Sequence, residues 1–208
     1  MAITGQGMVL FTIVHLLGNS SIFAGPNGIN SYAEHLHSLG PVVWIFRLAM
    51  LALLSIHVIF GITLTVENSK ANPAGYAVSR KVRANFSSEN MIWTGLILLC
   101  FIVYHLLHFT VRVTPGLVQT VDQMGRFNVF AMVTNSFQKG GTAFIYIAAM
   151  VALFLHLKHG IQSFFQTMGW SSDKSQPAII KVGVVASVIL LVGYASIPLF
   201  ILTGILKG

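Results

Sequence analysis

The chain has few charged side chains and a single cysteine. Only 8% of its 208 residues are charged, against about 25% in an ordinary soluble domain. So few charges could hardly coat a soluble surface. An apolar content of 55% excludes a disordered chain, and one cysteine excludes a disulfide within the chain. An integral membrane protein remains.

Basic residues outnumber acidic ones by twelve to five. A net charge of +7 can indicate nucleic acid binding. Here, however, the basic residues form short clusters between long apolar runs. This pattern is typical of the loops that flank membrane spans, and we expect no nucleic acid partner.

Five segments are long and apolar enough to cross a hydrocarbon core of about 30 Å as helices. They comprise residues 3–23, 43–66, 91–111, 143–165 and 179–206. The first lacks a basic leading region and a cleavage site, so we interpret it as a retained span. The predicted fold is an all-α membrane protein with five transmembrane helices.

The linkers differ in character. Residues 24–42 are rich in glycine, proline and asparagine, which predicts turns. Residues 121–137 carry apolar side chains at helical spacing, which predicts a short helix in the membrane interface. We predict no internal repeat.

The charge asymmetry of the loops predicts the orientation. Seven basic residues fall on one side, Lys70, Arg80, Lys81, Arg83, Lys158, Lys174 and Lys181. Five fall on the other, Arg47, Arg112, Arg126, Lys139 and Lys207. By the positive-inside rule, the N-terminus is cytoplasmic and the C-terminus lies outside.

Six of the eight histidines lie inside predicted spans, in the first four spans and not in the fifth. They are His15, His57, His105, His108, His156 and His159. A lone intramembrane histidine often makes only a helix–helix hydrogen bond. Ionisable residues on four helices indicate a functional site.

Counting residues to the span ends places these histidines at two depths. His15 and His105 are level in the outer half of the membrane, and His57 and His156 are level in the inner half. Neutral imidazoles on facing helices suit the axial positions of a flat macrocycle. The spacing therefore predicts two haem-binding pairs.

Two glycines favour this interpretation, because Gly61 and Gly160 follow His57 and His156 by one turn and leave room for a ring. Helix packing is an alternative use of them. His108 lies on the same helix face as His105, and His159 lies on the same helix face as His156, since each follows three residues later. We favour His105 and His156 as ligands.

Histidines inside membrane spans have two other uses. A compact metal site, as in a metal hydrolase, needs three or four clustered ligands. The histidines fall in two layers and no acidic residue lies inside a span, which argues against such a site. A haem-free transporter with histidines along a polar path is the alternative of a different class.

The histidine-centred segments resemble one family. VHLLGN, IHVIFGITLT, MIWTGLILLCFIVYHLLHF and FLHLKHGIQSFFQTMGW, with FNVFAMVTNSFQ between the last two, resemble the cytochrome b subunit of bacterial succinate dehydrogenases and fumarate reductases. The resemblance is to the type with one five-helix chain and two haems b.

The resemblance implies that residues 1–208 form one transmembrane cytochrome b domain. In it, helices one to four form a haem-binding bundle and the fifth is peripheral. It implies His15 and His105 as ligands of an outer haem, and His57 and His156 as ligands of an inner haem.

The resemblance also implies partners. These are a flavoprotein subunit, an iron–sulfur subunit, menaquinone and lipid of a bacterial cytoplasmic membrane, and the complex would be a dimer. The segment that precedes the first span in the family is almost missing here. Docking is therefore expected to rely on the basic loop 67–90, including Arg80, Lys81 and Arg83. An anchor for nitrate reductase, hydrogenase or formate dehydrogenase is the alternative.

A quinone site needs a proton donor or acceptor, and the resemblance implies a glutamate of the first loop beside the outer haem. Glu34 is the one carboxylate of residues 24–42; a solvated loop carboxylate is the alternative. Arg112, Arg47 and His108 are candidates for propionate or quinone contacts. The two arginines would otherwise snorkel at the interface.

Overall fold

The computed structural model describes residues 1–71 and 86–207, which are predominantly helical. The helices are α1 (Ala2–Asn19), α2 (Gly25–Ser38), α3 (Pro41–Ala71), α4 (Phe86–Glu89), α5 (Met91–His105), α6 (Val129–Phe137), α7 (Gly140–Thr167) and α8 (Gln176–Leu202). A 3₁₀ turn, Ser20–Ala24, joins α1 to α2, and a π-helical turn, Leu106–Thr110, continues α5.

Five helical segments of the described chain are long and apolar enough to span a membrane. They are Ala2–Ser38, Pro41–Ala71, Met91–Thr110, Gly140–Thr167 and Gln176–Leu202. The predicted all-α membrane protein with five transmembrane helices is therefore confirmed. The first segment is much longer than predicted, because helical structure continues beyond the span.

The prediction of turns throughout residues 24–42 was wrong, because α2 fills most of that linker. Its two bounding glycines do adopt turn conformations, with φ of 81° at Gly25 and 52° at Gly40. Between them, Pro26 suits a first helical turn. Ile29 and Asn30 are buried on the inner face. Tertiary packing has thus overridden the local turn signal.

The predicted helix over residues 121–137 begins only at Val129. Upstream, the Asp122 carboxylate accepts hydrogen bonds from the backbone N–H groups of Met124 and Arg126, at 2.9 and 3.0 Å, which closes a tight turn. Asn128 then caps α6 by accepting from the Ala131 N–H.

The apolar side of this segment faces the protein, and its predicted position in the membrane interface stays a prediction. Phe130, Val133 and Phe137 of α6 are buried in a protein core with Tyr146 of α7 and Ile197 of α8. The apolar periodicity of α6 therefore corresponds to burial against the bundle.

Four helices form a ring. α1 contacts α3 and α7, and α5 contacts the same two helices. Consequently α1 lies across the ring from α5, and α3 lies across from α7. α8 packs outside, against α7 and α1, where Leu190 joins Val9, Leu157 and Ile161 in a second core.

The two ends of the ring are distinct. We call them the Met1 end, where α1 begins, and the α6 end, where α2 and α6 cover the helices. The outer faces of the ring are apolar, and α3 has no buried residue along its length. Such faces are suited to lipid, because contact with the hydrocarbon core keeps apolar side chains out of water, as a protein interior does.

Candidate functional site

One histidine pair lies toward the Met1 end. The ring centroids of His57 on α3 and His156 on α7 are 6.3 Å apart across the ring of helices. The His57 Nδ1 atom lies 3.2 Å from the Thr4 hydroxyl of α1, and the His156 Nδ1 atom lies 3.1 Å from the Thr94 hydroxyl of α5. Both rings are held through Nδ1, which leaves Nε2 for another partner.

Glycines allow these two imidazoles to approach the neighbouring helices. A Cβ atom on Gly5 would lie 3.2 Å from His57 Cε1, and one on Gly95 would lie 3.4 Å from His156 Cε1. The first contact is tighter than ordinary van der Waals packing. Each of these glycines follows the threonine that bonds the same ring.

A second pair lies toward the α6 end. The ring centroids of His15 on α1 and His105 on α5 are 5.9 Å apart, with the planes nearly perpendicular at 87°. Phe11 stacks on His15 with centroids 5.2 Å apart, and Phe101 lies against His105. These aromatic rings restrict the orientation of both imidazoles.

Tyr146 of α7 connects His105 to His108. Its hydroxyl lies 3.3 Å from the His105 Nδ1 atom and 3.0 Å from the His108 Nδ1 atom. His105 and His108 are three residues apart and share one face of the helix. A π-helical turn begins directly after His105, and such turns are frequent at functional sites. Since a hydroxyl has one proton, Tyr146 can donate to only one of the two rings.

The structure also distinguishes His105 and His156 from the nearby His108 and His159. The ring contacts across the bundle involve His105 and His156. His108 is instead buried, with its ring stacked on Phe109 at 4.0 Å. His159 has a buried Nδ1 atom with no hydrogen-bond partner among the described residues.

The pairs have a spacing that fits a metal ion held between two imidazoles. An imidazole nitrogen lies about 2 Å from a metal ion that it coordinates, so centroids on opposite sides of one ion lie roughly 6 Å apart. The observed 5.9 and 6.3 Å match this spacing. Within residues 1–71 and 86–207, no cluster of three or more His, Cys, Asp or Glu could hold a metal. The site consists of pairs, as haem iron requires.

The two glycines one turn beyond His57 and His156 are not closed off by packing. A Cβ atom on Gly160 would have no neighbour within 4 Å, and one on Gly61 would meet only the flexible end of Met1. The residues present therefore fit a haem between His57 and His156.

The other predicted site residues lie apart from the two pairs. Glu34 is exposed on α2. Arg47 is exposed, with its guanidinium carbon 5.0 Å from the Trp44 ring centroid. The Arg112 guanidinium carbon lies 3.9 Å from the Phe127 ring centroid. The predicted docking residues Arg80, Lys81 and Arg83 lie outside the described residues.

Sequence reasoning missed Thr4, Thr94 and Tyr146, although a signal for the threonines was present. The same pattern occurs from Thr4 to Leu17 and from Thr94 to Leu107: a Thr-Gly pair, nine further residues, and then His-Leu-Leu. The prediction of no internal repeat did not take this short pattern into account. The two copies belong to α1 and α5, which lie across the ring from each other.

The comparisons with known proteins identify a family. Residues 79–195 match the family model described as the succinate dehydrogenase/fumarate reductase transmembrane subunit. His105, Tyr146 and His156 lie in the matched segment, whereas His15 and His57 precede it. Neither a curated protein nor a solved structure matches the chain. Because the matched segment covers more than half of its length, the chain belongs to the family of succinate dehydrogenase/fumarate reductase transmembrane subunits.

Proposed function

We propose that this chain is a two-haem cytochrome b subunit that carries electrons between an iron–sulfur subunit and menaquinone in the membrane. The observation that supports it is the pair of cross-bundle imidazole couples, with centroids 5.9 and 6.3 Å apart, on four membrane helices. Family membership implies association with the flavoprotein and iron–sulfur subunits of the complex.

Four histidines would hold the cofactors in this proposal. His15 and His105 would ligate one haem, and His57 and His156 the other. When bound, each haem would supply a one-electron redox centre. The protein contributes fixed imidazoles, a largely apolar surrounding and two positions at different depths, all of which control electron transfer.

The Met1 end would face the cytoplasm and the soluble subunits, in a bacterial inner membrane. The basic residues Lys70, Lys158, Lys174 and Lys181 lie toward that end. The histidine pair nearer that end, His57 with His156, would then be the first to exchange electrons with the iron–sulfur subunit.

Glu34 would transfer protons at a quinone site near the α6 end. α2 places its carboxylate at the same end of the bundle as His15 and His105. His108, Arg112 and Arg47 would contact haem propionates or quinone there. Arg112 and Arg47 stack on aromatic rings in the structure, so a propionate contact requires each guanidinium to use its N–H edge.

Haem content measured on the purified complex tests the proposal. We expect b-type bands in the reduced-minus-oxidised spectrum and two haems per chain. H57A and H105A should each lose one haem, because a haem iron that needs two axial imidazoles loses one ligand.

H37A is the matched control. His37 is exposed on α2 and its ring bonds the Ala33 carbonyl of its own helix, so this variant should keep both haems. A wild-type chain with no haem would favour the transporter, and copurification with a different dehydrogenase would favour one of the other quinone-linked enzymes.

A further inference from the structure

The repeated T-G element has the same contacts in both of its copies. Thr4 and Gly5 of α1 meet the ring of His57, and Thr94 and Gly95 of α5 meet the ring of His156. Each element therefore serves a histidine on a neighbouring helix rather than the histidine of its own repeat. Two independent copies with one geometry indicate a role tied to that histidine pair.

Each threonine hydroxyl also bonds its own helix. The Thr4 hydroxyl donates to the Met1 carbonyl at 2.9 Å, and the Thr94 hydroxyl donates to the Asn90 carbonyl at 3.0 Å. Since a hydroxyl has one proton, its oxygen is left to accept from the imidazole. With the hydroxyl proton given to the backbone, the Nδ1 atoms of His57 and His156 would carry their protons, and the lone pairs would be on Nε2.

This tautomer is the one that an axial ligand needs. A ligating histidine typically donates its other ring N–H to a neighbouring acceptor, which fixes the ring and raises the basicity of the ligating nitrogen. A more basic ligand stabilises the oxidised, more positively charged iron. Removal of the acceptor should therefore favour reduction.

We propose that Thr4 and Thr94 are positioning residues for the His57–His156 pair, and that each sets the tautomer and basicity of the imidazole that it contacts. The proposal rests on the proposed function, because it assigns a role toward the haem of that pair. Gly5 and Gly95 complete the arrangement by allowing the rings to approach the helices.

Redox titration of the purified complex carrying T4V or T94V tests this. Valine keeps the shape of threonine and removes the hydroxyl. The haem that is lost in H57A should become easier to reduce, with its equilibrium constant for reduction raised about threefold to tenfold, where tenfold is about 59 mV for one electron. The other haem should be unchanged.

Conservative variants and a control separate positioning from folding. T4S and T94S retain the hydroxyl and should restore the wild-type potential. T12V is the matched control, because the Thr12 hydroxyl bonds only the Val9 carbonyl of α1, and it should leave both haems unchanged. Loss of the one haem in T4V with recovery in T4S also supports the proposal.

Several outcomes overturn the proposal. The role proposed for Thr4 and Thr94 fails, while the proposed function stands, if the wild type holds two haems and neither valine variant shifts the potential. It also fails if both haems shift equally, if T12V has the same effect as T4V, or if the serine variants do not restore the potential. A wild-type complex without haem overturns the proposed function as well, so the two failures are distinguishable.

Discussion

The proposed function assigns Glu34 a specific role, the transfer of protons at the quinone site. This residue is exposed on α2, within reach of protons from the aqueous phase at the α6 end. Replacing it with glutamine removes the titrating carboxylate and keeps the size of the side chain. We expect E34Q to lower quinol-linked turnover by about a hundredfold or more, as loss of a positioned proton donor does, with haem content unchanged.

The measurement compares electron transfer to a quinone analogue with dye-linked succinate or fumarate turnover, which does not need the quinone site. E67Q provides the control, because Glu67 is an exposed carboxylate near the other end of the bundle, on α3. Unchanged quinol-linked turnover in E34Q would show that Glu34 is a solvated surface carboxylate.

The histidine pairs and their surroundings differ in how far a sequence can predict them. The pairing of His57 with His156 follows from their depths, because a helix rises by a constant amount per residue. The contacts of Thr94 and Tyr146 depend on how neighbouring helices are rotated about their axes. Helical periodicity within one segment does not contain that rotation, which is set by packing between segments.

At the scale of elements, α2 is joined to the turn before α6 by a polar network. The Asn30 side chain donates to Asp122 at 3.1 Å and accepts from the Phe130 N–H at 3.0 Å. Arg126 pairs with Asp122 at 2.7 Å and donates to the Asn27 side chain at 3.0 Å. This network explains why a linker with turn residues folds as a helix, since α2 gains partners distant in sequence.

D122N should weaken this connection. The Arg126 side chain, with further N–H donors, lowers the pKa of the Asp122 carboxyl to about 2, below the usual value of about 3.9. A depressed carboxyl pKa stabilises the folded state above the unfolded pKa, and this contribution is lost as pH falls through the folded pKa. At neutral pH we expect D122N to lower the melting temperature of the purified complex by a few degrees.

The pH dependence distinguishes this ion pair from a general packing effect. The difference in melting temperature between wild type and D122N should be constant from pH 7 to about pH 5 and should shrink toward pH 3. E67Q is again the control and should melt as the wild type does at each pH. If D122N lowered the melting temperature by the same amount at every pH, the effect would come from altered hydrogen-bond geometry and not from the loss of charge.

At the scale of the whole molecule, the ring has an approximate two-fold arrangement. α1 and α5 carry the same T-G and H-L-L pattern, and α3 and α7 both carry a histidine followed by glycine one turn later. The axis relates the two members of each histidine pair, so both pairs lie across the centre of the ring at successive depths. Two redox centres stacked in this way would form a path along the bundle from one membrane face to the other.

The direction of that path depends on the orientation of the chain, which labelling of introduced cysteines can determine. The loops of the sequence carry seven basic residues on one side and five on the other, and this asymmetry predicts that the Met1 end is cytoplasmic. In a C100A background, Lys174 and Asn135 are suitable positions, because both are exposed and they lie at opposite ends. K174C reports the Met1 end, and N135C reports the α6 end.

A membrane-impermeant maleimide should label N135C in spheroplasts and K174C in inside-out vesicles. The native Cys100 alone is the control, because it lies exposed in the middle of α5, a candidate membrane span, and should react in neither preparation. The reverse pattern would place the Met1 end outside. The His57–His156 pair would then lie far from a cytoplasmic iron–sulfur subunit, and electrons would have to enter through His15 and His105.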